Sequence, residues 1–314
     1  MTDTLLNTYG SLIVWTGLGV CLARLLPSAL PRFLGRGLYW VGVPLQILAL
    51  ARHSTFSVTI AIAPLTMLMA LGIGVVAALI GLWLQPKLPA SLVGVSSNNR
   101  AYQGSFVLSS AIGNTGFVGL AIAPALVGEP YTSWVVLYAV MHNLVGTYGL
   151  GVFLASYFGH SSQQSRWWKQ LRDVLTAPPL WACIIGAATQ SVALPARVDA
   201  ALDSCVEVVI YCALCLMGMR LGQLQGWRSF QLAIIPAVNK IVVMPLVLAI
   251  IMLLMGLPQP AVLGFAIMAG TPSAFANLIL AEEYDLDRAL ATSTITLTTI
   301  GLLATIPLWI WLLG

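Results

Sequence analysis

From Met67 to Leu84 the chain carries no charged side chain and nothing more polar than one tryptophan. A helix needs about 20 apolar residues to cross the hydrocarbon of a bilayer. Runs of this kind recur along the whole length, so most of the chain lies in lipid instead of hanging from one anchor. A transmembrane barrel is excluded, because its strands alternate polar and apolar residues. Asp, Glu, Lys and Arg make up only 8% of the chain, against about a quarter in a soluble domain. The longest polar stretch, about 159–173, leaves no room for a large soluble domain. The expected fold is an all-α polytopic membrane protein.

Length, Gly/Pro punctuation and intervening charges mark ten spans: 5–26, 33–51, 56–84, 101–127, 131–158, 178–193, 198–221, 230–256, 260–281 and 288–313. The odd-numbered connections collect Arg24, Arg32, Arg36, Lys87, Arg100, Arg166, Lys169, Arg172, Arg220, Arg228 and Arg288, which is 11 of the 14 basic residues; the even ones keep only Arg52 and Arg197. The positive-inside rule makes the odd connections cytoplasmic and puts both termini outside. Residues 1–10 lack the basic region of a signal peptide, so the first segment reads as a retained helix. The chain divides into a five-helix repeat over 1–158, a cytoplasmic connector over 159–177 and a second, inverted five-helix repeat over 178–314. Trp167 and Trp168 beside Arg166, Lys169 and Arg172 suit that connector to the headgroup layer.

Two spans carry helix breakers in mid-membrane. The fourth contains Gly113-Asn114-Thr115-Gly116-Phe117-Val118-Gly119, and the ninth contains Gly270-Thr271-Pro272-Ser273-Ala274-Phe275-Ala276-Asn277. Each is the fourth helix of its half, which is where an inverted repeat places its binding site. Thr271-Pro272 reads as a fresh helix start, a hydroxyl N-cap followed by proline, and Asn114-Thr115 can cap the other half-helix. The two new N-termini would then oppose each other near the bilayer centre, offering free N–H groups and positive dipole ends to an anion. The opposing reading is that these residues only kink helices or permit close packing. The candidate anion contacts are Asn114, Thr115, Gly116, Thr271, Pro272, Ser273 and Asn277.

Lys240 lies about ten residues into the eighth span, and Glu207 reaches a comparable depth in the seventh. They read either as a structural ion pair or as coupling and counter-charge groups for an anionic substrate. Gln46, His142 and Asn143 either line the same site or make interhelical hydrogen bonds. The acidic turn Glu282, Glu283, Asp285, Asp287 reads as solvated, with Asp287 capping the last helix.

Scattered basic residues make no stripe for a phosphate backbone, so nucleic acid is excluded as a partner. The five cysteines sit in apolar segments as packing residues. No H-E-x-x-H and no Gly-x-Ser-x-Gly occurs, which argues against an enzyme, and no metal site or cofactor is expected beyond a coupling proton or sodium ion.

Several stretches carry a family resemblance: Gly113-Asn114-Thr115-Gly116-Phe117-Val118-Gly119-Leu120, Ala177-Pro178-Pro179-Leu180-Trp181-Ala182, Met217-Gly218-Met219-Arg220-Leu221, Asn239-Lys240-Ile241-Val242-Val243-Met244-Pro245-Leu246, Thr271-Pro272-Ser273-Ala274 and Leu280-Ala281-Glu282-Glu283-Tyr284. In this order they resemble the auxin efflux carrier family of bacterial permeases, related to the plant PIN-type auxin carriers. The resemblance implies ten helices in two inverted five-helix repeats, with helices 4 and 9 crossing at their breaks. It implies a scaffold of helices 1, 2, 6 and 7, a moving transport domain of helices 3–5 and 8–10, an elevator-type cycle and a homodimer through the scaffold. It further implies an organic-anion substrate such as a dicarboxylate or indole-acetate, with Asn114 contacting the carboxylate and Pro272 at the crossing. Ala121 stands where related sequences usually place proline, and Glu207 and Tyr211 where they carry a small residue and a proline. The expected function is thus a secondary transporter of a small organic anion in a prokaryotic inner membrane. An anion channel or a ligand sensor on the same fold is the alternative.

Overall fold

The structure is a computed structural model describing residues 2–27, 30–53, 61–89, 99–159, 175–176, 178–222 and 228–314. Every regular element in them is helical, apart from one isolated bridge between Gly113 and Ser273. The helices are α1 (Thr2–Leu25), α2 (Leu30–Gly37), α3 (Val43–Arg52), α4 (Ile62–Leu84), α5 (Arg100–Ala111), α6 (Leu120–Val127), α7 (Glu129–Met141) and α8 (Val152–Phe158). They continue as α9 (Pro178–Ala188), α10 (Ala196–Gly222), α11 (Arg228–Val238), α12 (Met244–Leu254), α13 (Gln259–Ala269), α14 (Phe275–Glu283) and α15 (Arg288–Leu313).

Among the described residues six continuous stretches are long and apolar enough to cross a membrane: Phe33–Arg52, Ile62–Lys87, Tyr131–Phe158, Ala196–Met219, Phe230–Leu254 and Arg288–Leu313. Four shorter apolar helices, Ile13–Leu25, Thr115–Val127, Pro178–Ala188 and Gln259–Ala269, fall within the other expected spans. Two of these four are halves of the interrupted segments. Arg166, Trp167, Trp168, Lys169 and Arg172 of the connector lie outside the described residues.

Among the described residues four stretches wind wider, as π-helix: Leu38–Gly42, Thr115–Gly119, His142–Gly151 and Asn239–Val243. For two of them the sequence holds the cause. Pro44 and Pro245 stand in the first turn of the helices that follow, and a proline ring crowds the carbonyl four residues back. The helix opens ahead of each, and the amides of Val43 and Met244 donate five residues back, to the carbonyls of Leu38 and Asn239. Such turns concentrate at functional positions. Here they carry His142, Asn143 and Lys240.

Small residues set the closest helix approaches, as is usual where lipid supplies no hydrophobic drive between helices. Along α1 and α10, Gly19 sits against the Cys215 carbonyl and Gly218 against the Thr16 carbonyl, leaving no room for a Cβ at either. α3 packs on α9, where Gly186 lies against Leu48 and Ala51. Arg52 at the end of α3 donates to the carbonyls of Thr189 (2.6 Å) and Val192 (3.0 Å) and lies 3.8 Å from Asp199. It thereby joins two connections that the charge pattern assigns to one side. The largest core cluster runs from Ile47 and Met67 through Tyr138 to Phe265 and Trp309. Asp287 caps α15, accepting from the Leu290 amide at 3.0 Å, as the sequence predicts.

Gly218→Val drives a side chain into the α1 backbone, and such overpacking costs about 1–3 kcal/mol. The thermal midpoint of the purified protein is expected to fall, whereas Gly72→Val, placed in open space, leaves it unchanged. Equal midpoints for both variants would contradict the α1–α10 contact.

Candidate functional site

Both interrupted segments leave helical geometry at the expected residues. α5 stops at Ala111; Ile112 is extended (φ −95°, ψ 118°), and Asn114 adopts φ −84°, ψ 60° before the chain resumes at Thr115. α13 stops at Ala269, and Ala274 is extended (φ −68°, ψ 142°) before α14 begins. The two breaks pair with each other. The Asn114 amide donates to the Pro272 carbonyl at 2.7 Å and the Ala274 amide to the Ile112 carbonyl at 3.0 Å, flanking the antiparallel bridge of Gly113 with Ser273. Backbone polar groups in lipid must be satisfied inside the protein, and each break supplies what the other lacks.

Side chains complete the pairing. The Ser273 amide donates to Thr298 Oγ1 (3.0 Å) and the Gly113 amide to His142 Nε2 (3.4 Å). Asn277, fully buried on α14, brings Nδ2 to 3.2 Å from the Leu108 carbonyl, 3.0 Å from the Ile112 carbonyl and 2.9 Å from Ser273 Oγ. It straps α14 to the end of α5.

This arrangement corrects the expected capping. Thr271 does not cap α14: its hydroxyl donates backward to the Met268 carbonyl at 3.0 Å, closing α13, and Ala274 occupies the cap position without a side-chain bond. The amides of Gly113, Asn114, Ser273 and Ala274 are all consumed within the crossing. Donors remain in the first turn of α14, at Phe275 and Ala276, and in the first turn after Asn114, where Thr115, Gly116 and Phe117 have no carbonyl four residues back in their own helix.

Beside that turn stand the carboxamides without partners. Asn114 caps nothing and keeps 7% of its surface accessible; its side chain makes no hydrogen bond to a described residue. Asn143 is half-buried with Nδ2 2.9 Å from where a Gly116 Cβ would stand, so a side chain there would push the carboxamide aside. Since Nε2 of His142 accepts from Gly113, the proton of the neutral ring sits on Nδ1, 3.3 Å from Thr115 Oγ1. Thr115 Oγ1 accepts it, and the hydroxyl hydrogen stays available. Phe117, in the same turn, packs among Leu38, Val209, Ala213 and Leu216, giving the site an apolar flank on α10.

Lys240 is fully buried behind the break. Its Nζ donates to the carbonyl of Ala269, the last residue of α13, and lies 3.7 Å from Met244 Sδ. A Cβ on Gly113 would stand 2.7 Å from that Nζ. Glu207 is exposed on α10 and forms no ion pair with Lys240, so the structural pair is absent. Gln46 is buried, its Nε2 donating to the Leu120 carbonyl at 3.3 Å, which links α3 to α6. Thr298, Met244 and Phe117 join the site without having been singled out from sequence. The threonine-rich run 292–299 in an apolar span was the available signal for Thr298.

The crossing thus joins two interrupted helices that satisfy each other in mid-span and leaves free donors at a half-helix start. Residues 43–310 match the family model described as membrane transport protein, and the chain belongs to that family, which includes the auxin efflux carriers. It is also 25% identical over 218 residues to an uncharacterized transporter of Methanocaldococcus jannaschii, covering 67% of this chain and 68% of that relative. Family and composition together make it an integral membrane transporter.

Asn277→Ala removes the donor shared by the Leu108 and Ile112 carbonyls and the Ser273 hydroxyl; both carbonyls keep a backbone donor, so the cost is that of the lost hydrogen bonds, about 0.5–1.5 kcal/mol each. Thermal unfolding in detergent is expected to show a clearly lowered midpoint. A wild-type midpoint would mean that the strap carries no load.

Proposed function

We propose that this protein is a secondary carrier that holds a small organic anion by its carboxylate at the break before Thr115 and moves it by alternating access. The observation that carries this reading is the unpartnered Asn114 carboxamide beside the first-turn amides of Thr115, Gly116 and Phe117. Oriented neutral donors at a helix N-terminus attract an anion without a full positive charge at the contact. Asn143 and the Thr115 hydroxyl add two further donors. Ser273, Thr271 and Asn277 hold the crossing in shape, and Pro272 contributes the carbonyl that receives Asn114 N.

In this reading the ten apolar segments form two inverted five-helix repeats with both termini outside. α1, α3, α9 and α10 belong to a scaffold through which two copies associate. α4 to α8 and α11 to α15 form the domain that moves in an elevator cycle. The packing supports this division: α1 lies along α10 and α3 along α9, whereas α4 packs on α5, α11 on α15 and α12 on α13. Phe117 against Val209 and Ala213 marks where the moving part slides on the scaffold.

Reconstituted protein is expected to show trans-acceleration: unlabelled carboxylate inside the vesicle speeds uptake of the labelled anion. Large single-unit currents without trans-acceleration would make it a channel. A thermal-shift screen over acetate, succinate and phenylacetate tests binding directly. Asn114→Ala removes a hydrogen bond to a charged group, worth about 1.5–3 kcal/mol, so affinity should fall tenfold or more while the ligand-free midpoint stays within about 2 °C. Unchanged affinity contradicts the role given to Asn114.

A further inference from the structure

We propose that Lys240 is a built-in cation, whose ammonium fills the place at the crossing that a transported metal ion would otherwise take, so that the carrier binds its anion without sodium. The proposal rests on the anion reading above and adds to it the source of the positive charge.

The geometry is specific. In carriers with interrupted helices, the C-terminal end of a half-helix and the unwound carbonyls beside it form the place for a coupling cation. Here α13 ends at Ala269, and the carbonyl exposed there receives Lys240 Nζ. The dipole of α13 favours positive charge at that end. The wide turn Asn239–Val243, opened by Pro245, delivers the side chain from α11 and α12. Gly113 leaves the space: any side chain there would meet Nζ.

The remaining surroundings suit an ammonium and not a hard metal ion. The nearest other partner is the thioether of Met244, at 3.7 Å, and hard cations take oxygen ligands rather than sulfur. Thr271 Oγ1 spends its hydrogen on the Met268 carbonyl and, among the described residues, is the one hydroxyl beside the thioether. Among the described residues no Asp or Glu pairs with Lys240, so its charge has no acid to offset it. The other titratable group at the crossing, His142, stands across Gly113 and accepts from its amide. An isolated buried charge is unfavourable until a counter-charge arrives. A carboxylate at Asn114–Phe117, on the far face of the break, is that counter-charge. The loaded site is then a neutral pair, which crosses a low-dielectric barrier more easily than an anion alone.

The experiment uses the full-length protein in detergent with succinate and phenylacetate as probes. Wild-type affinity is expected to be the same within twofold in sodium chloride and in choline chloride. Lys240→Met, which keeps the length without the charge, should lose tenfold or more in both salts. Lys240→Ala should regain thermal midpoint and affinity with propylammonium, which replaces the missing atoms, and not with propanol or sodium.

A tenfold loss of wild-type affinity in choline would overturn the proposal. So would Lys240→Met binding as wild type does, or propanol rescuing as well as propylammonium. If wild type binds neither probe, the anion reading fails by itself. The midpoint of Lys240→Ala then decides the cation: recovery with propylammonium alone keeps it, and no recovery removes it.

Discussion

Two hydrogen bonds between interrupted spans, from Asn114 to Pro272 and from Ala274 to Ile112, hold the rest of this structure in place. A helix that stops inside a bilayer leaves up to four amides and four carbonyls without partners at each new end, and lipid supplies none. One such break alone would be heavily destabilising. Two breaks that meet in antiparallel register turn the same groups into mutual partners, and the surplus donors fall in the first turns that follow, after Asn114 and after Ala274. The proposed binding site is therefore a by-product of how the defect is repaired.

The repair reaches further than the backbone. Asn277 ties α14 to α5, Thr298 receives the Ser273 amide and His142 receives that of Gly113. These side chains come from the ninth, tenth and fifth spans, so four segments share one polar knot in an otherwise apolar interior. Buried polar networks are rigid only when each member is satisfied. Asn277 Oδ1 has no hydrogen-bond partner among the described residues, and Asn114, Asn143 and the Thr115 hydroxyl keep spare capacity beside the turn that begins at Thr115.

The fold was largely legible because lipid imposes a coarse rule: long apolar runs are spans, and breakers within them need a reason. The breaks at 112–114 and 270–274 followed from that, whereas the cap at Asp287 was read from capping residue types and the family from the order of its motifs. Hydrogen-bond direction was not legible. Thr271-Pro272 has the residue types of a helix start, yet the Thr271 hydroxyl turns back to Met268, because Pro272 must present its carbonyl to Asn114. Depth along the helix suggested pairing Lys240 with Glu207, but depth says nothing of azimuth. Glu207 faces outward on α10, while the wide turn ahead of Pro245 aims Lys240 at the crossing. Asn277 shares a break with the anion candidates and serves as a strap, since its amide is within reach of three acceptors.

A cryo-EM map of the protein saturated with a binding carboxylate tests the central claim most directly. The account predicts carboxylate density at hydrogen-bond distance, about 2.7–3.2 Å, from the Asn114 carboxamide and from amides of the turn that begins at Thr115, with 112–114 still paired to 272–274. Continuous helix through those residues, or ligand density away from the break, would contradict it.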